Sequence, residues 1–158
     1  MMPQQKFMGS PKKLLQAMRI FTIALLTGVL LFSIIMIVVV QSRGPALVPD
    51  IFSGVVVITA IAALFAAHFL YRKKLTEIKN AVISLQEKLN LYRSSLILYL
   101  AFCEGAGLLS VIVFFLTGNY YLLVITAILL LFMYSKFPSV QKLSGELNLD
   151  SSERMQLE

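Results

Sequence analysis

An all-α, polytopic membrane protein, with four transmembrane helices in a bundle, is the fold class that this sequence predicts. Three observations indicate it. Hydrophobic residues make up 58% of the 158 residues, against about 45–50% in soluble domains. They are concentrated in four stretches almost without charge, and the basic residues lie in alternate connections between those stretches. Because open strand edges leave backbone groups unpaired in hydrocarbon, the stretches are interpreted as helices.

The four stretches differ in length and in what interrupts them. The first carries no charge, the second contains His68, the third contains Glu104, and the fourth is the shortest. About 20 apolar residues are enough for a helix to cross a bilayer. The predicted spans are 20–40, 51–71, 94–116 and 120–135, within a transmembrane domain 20–135 that is flanked by an N-terminal segment 1–19 and a tail 136–158.

The basic residues predict the orientation. Of the 14 lysines and arginines, all except Arg43 lie before the first span, in the connection 72–93, or in the tail. The positive-inside rule assigns those three segments to the cytoplasm. Both termini are therefore expected to be cytoplasmic, in a multi-pass protein of the inner (plasma) membrane. The net charge of +6 then reflects topology and an attraction to anionic lipid. It does not indicate nucleic-acid binding, and the lipid bilayer is the predicted partner.

Two short connections contain turn-forming residues. Gly44, Pro45 and Pro49 predict an irregular outer loop at 41–50, with Asp50 as the cap of the second helix. In the tight turn at 117–119, Gly118 is typical of a helix end, and Asn119 is expected to cap the fourth helix. Helices three and four should then be antiparallel neighbours.

The connection 72–93 contains an apolar seam with heptad spacing: Leu75, Ile78, Val82, Leu85, Leu89 and Tyr92. A straight helix over this segment would climb about 30 Å away from the membrane, and the third span begins too soon for the chain to return. The segment must either lie flat on the membrane or fold back as extensions of helices two and three. Ser84 and Glu87 form a capping-box pattern that favours folding back, with helix three starting near Ser84.

Glu104 is the best candidate for a functional residue. A charged side chain near mid-membrane costs about 2.5–3.5 kcal/mol on insertion scales, so it should face protein and favour its neutral form. Thr27 and Thr126 fall at a similar predicted depth and could supply a hydroxyl to it. Three interpretations stay open: a hydrogen-bonding residue that holds the bundle together, a site that handles protons or ions, and a ligand-binding residue.

The segment 101–109, with sequence AFCEGAGLL, is similar to the carboxylate-bearing helix of rotary ATPase proteolipid subunits. That resemblance implies an intramembrane proton site at Glu104. The chain departs from the family in span one, which offers only Gly28 where proteolipids carry a run of alternating glycines. As a whole the chain resembles small four-helix bacterial inner-membrane proteins of unassigned function, which implies fold and location.

Other candidate residues are given structural interpretations. His68 lies one turn from Arg72 near the cytoplasmic interface, where it could titrate. Small residues should allow close helix packing: Ala60, Ala63, Ala67, Gly105 and Gly107. No metal-ligand spacing, nucleophile motif or cofactor-binding loop stands out. The sequence therefore predicts a non-catalytic structural or accessory protein without cofactor or metal, which associates with itself or with a membrane complex. The alternative is a proton- or ion-coupled channel or carrier element centred on Glu104.

Overall fold

The computed structural model describes residues 10–44 and 51–157, and every regular element in these two ranges is helical. Of the expected outer loop 41–50, residues 41–43 are helical instead, and residues 45–50, with the cap Asp50, lie outside the described residues. The helices are α1 (Pro11–Arg43), α2 (Ile51–Asn80), α3 (Leu85–Thr117), α4 (Tyr121–Ser135), α5 (Val140–Leu147) and α6 (Ser151–Met155). The all-α class is confirmed.

Three helices, α1, α2 and α3, are long and apolar enough to cross a membrane. A fourth crossing is counted when α4 and α5, which are bent by 77° relative to each other, are taken together. The helix α4 has 15 residues and is about 22 Å long, whereas a bilayer core is about 30 Å thick. The predicted fourth span is therefore short, because Pro138 and the break before α5 end it.

The helix α3 lies at the centre of the bundle and contacts α1, α2 and α4. In the most apolar stretch of α3, 50% of the residues are buried. In the corresponding stretch of α1, 11% are buried. Its buried residues recur every three or four positions, as in Leu96, Leu100 and Cys103, which brings them onto the inner side of the helix. Because so little of the apolar stretch of α1 is buried, most apolar side chains of α1 point outwards.

Helices α2 and α3 form a hairpin, so the connection 72–93 folds back. The chain turns at residues 81–84, and Ser84 caps α3 by accepting a hydrogen bond from the Glu87 amide at 3.4 Å. Along the apolar seam, Ile78 and Leu89 are buried, whereas Val82 is fully exposed at the tip of the hairpin. The seam thus serves intramolecular packing.

In the turn between α3 and α4, the prediction for Gly118 is confirmed and the prediction for Asn119 is wrong. Gly118 adopts a left-handed conformation (φ 72°), and its amide donates to the Phe114 carbonyl at 2.7 Å. The cap of α4 is Tyr120, not Asn119. The Asn119 side chain instead donates to Ser53 Oγ at 3.4 Å, which connects the turn to α2.

The tail folds back on the hairpin. Asp150 and Glu153 form a reciprocal capping box at the start of α6. Leu143, Leu147 and Leu157 are buried in the same apolar cluster as Leu89 and other residues of α2 and α3. The tail is therefore part of the packed structure at this end of the bundle.

Candidate functional site

Two buried tyrosines and a carboxylate of the tail meet at the end of the bundle where the tail folds back on the hairpin. The Tyr71 hydroxyl lies 2.7 Å from Glu146 Oε2 and 3.2 Å from the Tyr92 hydroxyl. A phenol carries one hydrogen. If Tyr71 donates it to the carboxylate, Tyr92 supplies the hydrogen for the contact between the two phenols. The resulting chain, Tyr92 to Tyr71 to Glu146, joins α3, α2 and α5.

Lys136 completes this group from the segment between α4 and α5. Its Nζ lies 4.4 Å from the ring centroid of Tyr71 and 5.7 Å from that of Tyr99. It also lies 3.9 Å from Glu146 Oε1. The cation is thus attracted by two ring faces and a carboxylate. We call Tyr71, Tyr92, Tyr99, Lys136 and Glu146 the tyrosine cluster.

Protonation in this region is set mainly by burial. Burial raises the pKa of Tyr92 above its usual value, and the negative charge of Glu146 adds to the shift. Burial lowers the pKa of Lys142, and the nearby Lys136 lowers it further, while Glu146 opposes both effects. Tyr92 therefore stays protonated at neutral pH and acts as a hydrogen-bond donor.

An open cleft of about 450 Å³ lies beside the cluster. His68, Arg72 and Lys79 line it from α2, and Lys136 and Glu146 line the opposite side. Glu146 is paired with Lys136. In the part of the chain that the structure describes, neither Arg72 nor Lys79 pairs with a carboxylate. The cleft therefore carries excess positive charge.

The structure does not bring the three residues of the predicted intramembrane site together. Glu104 is half-buried on α3. It lies two turns after Ile97, and Ile97 lines a crevice with Met18 and Phe21 of α1. Thr27 is exposed on α1, where it lines a groove shared with α4. Thr126 is buried and donates to the Leu122 carbonyl of its own helix at 3.2 Å. Among the described residues, no hydrogen bond joins either threonine to Glu104.

The predicted small-residue positions differ in what they contact. Ala60 is buried in a cluster with Ala106 and Leu129, and Ala67 belongs to the larger cluster that includes Tyr71, while Ala63 is partly buried. A Cβ on Gly107 would lie 3.6 Å from Val29 Cγ1 and 4.0 Å from Leu129 Cδ1. A Cβ on Gly105 would meet nothing within 4 Å. The close approach of helices is therefore at Gly107 rather than at Gly105.

His68 lines the cleft together with Arg72, one turn away, as their spacing predicts. The sequence does not predict the tyrosine cluster, although Tyr92 belongs to the apolar seam. A second missed contact lies deeper in the bundle, where Ser110 Oγ donates to the Leu122 carbonyl at 2.7 Å. That bond joins α3 to α4 away from water, where a hydroxyl needs a protein partner.

No cluster of three or more histidine, cysteine, aspartate or glutamate side chains suited to a metal ion occurs in residues 10–44 and 51–157. Comparison of the chain with protein-family models, with curated proteins and with solved structures gives no match.

Proposed function

We propose that this chain is a multi-pass inner-membrane protein that crosses the bilayer four times, with both termini in the cytoplasm, and that it has a structural or accessory role without catalysis. Supporting this orientation, the basic segments meet at one end of the bundle. Leu15 near the start of α1, Leu89 of the hairpin and Leu143 of the tail share one apolar cluster. The positive-inside rule then applies to all three segments at once.

The observation that carries the structural role is the tyrosine cluster. Through it, one carboxylate, Glu146, and one cation, Lys136, hold the tail against both helices of the hairpin. Buried polar groups that are fully bonded make a structure rigid. Within the described residues, no buried side-chain nitrogen or oxygen lacks a partner. The proposed partners are the lipid bilayer and either a second copy of the chain or another membrane protein, which would pack on the outward apolar side chains of α1.

The substitution Glu104→Gln distinguishes this role from the ion-coupled alternative. Glutamine retains hydrogen-bonding capacity in nearly the same shape but cannot titrate. In cells that lack the native protein, we expect the Glu104→Gln variant to restore the wild-type phenotype as fully as the native chain. The matched control is Glu77→Gln at an exposed position on α2. A Glu104→Gln variant that folds and reaches the membrane but does not restore the phenotype would replace our proposal with the ion-coupled one.

Membrane insertion is measured separately. Extraction with alkaline carbonate releases peripheral proteins and leaves multi-pass proteins in the membrane. We expect the native chain and both glutamine variants to remain in the membrane pellet. Release of the native chain into the soluble fraction would contradict the proposed membrane insertion.

A further inference from the structure

We propose that the cleft beside Tyr71 binds the phosphate-bearing headgroup of an anionic phospholipid. The inference rests on the proposed membrane insertion of the bundle, and it adds a ligand to the structural role. The cleft volume of about 450 Å³ lies within the range of small-ligand pockets. The occupant is identified from the charge of the cleft, its depth in the membrane and the surface next to it.

The charge favours an anion. Arg72 and Lys79 are exposed and seven residues apart on α2, so they project from one side of the helix about 10 Å apart along its axis. Lys136 faces them across the cleft, held in place by Glu146 and the ring of Tyr71. Since Glu146 offsets Lys136, the positive charges on α2 remain for a ligand. Arginine and lysine are the usual partners of phosphate oxygens.

The depth favours a lipid headgroup. The predicted second span ends at Tyr71, which places the cleft at the boundary between hydrocarbon and water. On the positive-inside assignment it opens to the cytoplasmic leaflet, where anionic lipids are common, and basic pockets between helices at that level bind lipid headgroups.

The neighbouring surface favours an amphiphile over free phosphate. Ile61 and Phe65 precede His68 and Arg72 at intervals of four, three and four residues, so all four lie on one side of α2. Ile61 is 64% and Phe65 75% exposed. This face therefore changes from apolar to basic along its length. A phospholipid can place its acyl chain against the apolar part and its phosphate in the cleft.

The test is lipid binding by the purified full chain in neutral detergent, followed by native mass spectrometry. The probe is dioleoyl phosphatidylglycerol, and dioleoyl phosphatidylcholine and inorganic phosphate are the comparison ligands. We expect one phosphatidylglycerol to bind at least tenfold more tightly than phosphatidylcholine, and inorganic phosphate to leave the lipid adduct undisturbed. The double variant R72Q/K79Q should bind phosphatidylglycerol about 30-fold more weakly, the factor expected for two basic side chains near a negatively charged headgroup.

The matched control is K73Q/K74Q, which removes the same charge from exposed positions on the same helix outside the cleft lining. It should change binding less than threefold, and circular dichroism should show both double variants folded. Equal loss of phosphatidylglycerol binding in the two double variants would assign the binding to general surface charge and overturn the proposal. So would equal binding of phosphatidylcholine, or displacement of the lipid by inorganic phosphate. Because carbonate extraction measures insertion on its own, an inserted protein that fails this test would refute the lipid site alone.

Discussion

Tyr71 on α2 donates a hydrogen bond to Glu146 on α5 at 2.7 Å, across 75 residues of sequence. The contact attaches the tail to the hairpin, and Lys136 lies against both partners. The bond is charge-assisted because its acceptor is a carboxylate. The tyrosine is buried, and the Glu146 side chain is 22% exposed. The bond adds to the burial of Leu143 and Leu147, which packs the tail against the hairpin.

The substitution Tyr71→Phe should loosen the tail. Hydrogen bonds to charged groups contribute about 1.5–3 kcal/mol, and phenylalanine removes the donor while leaving the ring beside Lys136. We expect a lower thermal unfolding temperature in detergent and faster trypsin cleavage after Lys142. The control is Tyr134→Phe, since Tyr134 is exposed and its ring lies 6.4 Å from that of Phe137. Equal cleavage rates for the two variants would mean that the Tyr71 hydroxyl does not hold the tail.

Stability should fall at alkaline pH because of Tyr92. Burial and the charge of Glu146 raise the pKa of this phenol, whereas an unfolded tyrosine ionises near pH 10. Below about pH 10 both states keep the proton and the stabilisation is complete. As the pH rises further, the unfolded state loses its proton first, so folding loses up to about 1.4 kcal/mol per pH unit.

Thermal unfolding at pH 8, 9, 10 and 11 measures this dependence. The Tyr92→Phe variant should lose less stability between pH 10 and 11 than the native chain, whatever its stability at pH 8. If Tyr92→Phe showed the native slope, this phenol would not hold its proton as the structure requires.

Helix packing should be far more sensitive at Gly107 than at Gly105. A leucine at Gly107 would force its side chain against Val29 and Leu129, and overpacking of this kind costs about 1–3 kcal/mol. A leucine at Gly105 enters open space. We expect Gly107→Leu to lower the unfolding temperature in detergent and Gly105→Leu to change it little. The reverse order would place the close helix approach at Gly105, as its small size alone suggested.

Structural features with local signals could be predicted from the sequence. Ser84 and Gly118 act through neighbours within four residues, so the hairpin turn and the end of α3 could be predicted. Gly105 and Gly107 lie on the same helix and differ only in the direction they face. Which of them contacts a neighbouring helix depends on how three helices pack, so it could not be predicted. The contact between Tyr71 and Glu146 has no local signal, because its partners are brought together by the burial of Leu143 and other tail residues far along the chain.

The proposed topology puts the hairpin tip in the cytoplasm of a four-span protein, and cysteine labelling measures the side on which that tip lies. Val82→Cys places a thiol at the fully exposed tip, and Ala46→Cys places one in the predicted outer loop. The native Cys103 is buried, so the unaltered chain gives the background. With a membrane-impermeant maleimide on intact spheroplasts, we expect the Ala46→Cys variant to label at once and the Val82→Cys variant to label only after permeabilisation. Labelling of the Val82→Cys variant in intact spheroplasts, with the Ala46→Cys variant protected, would show that the topology is inverted.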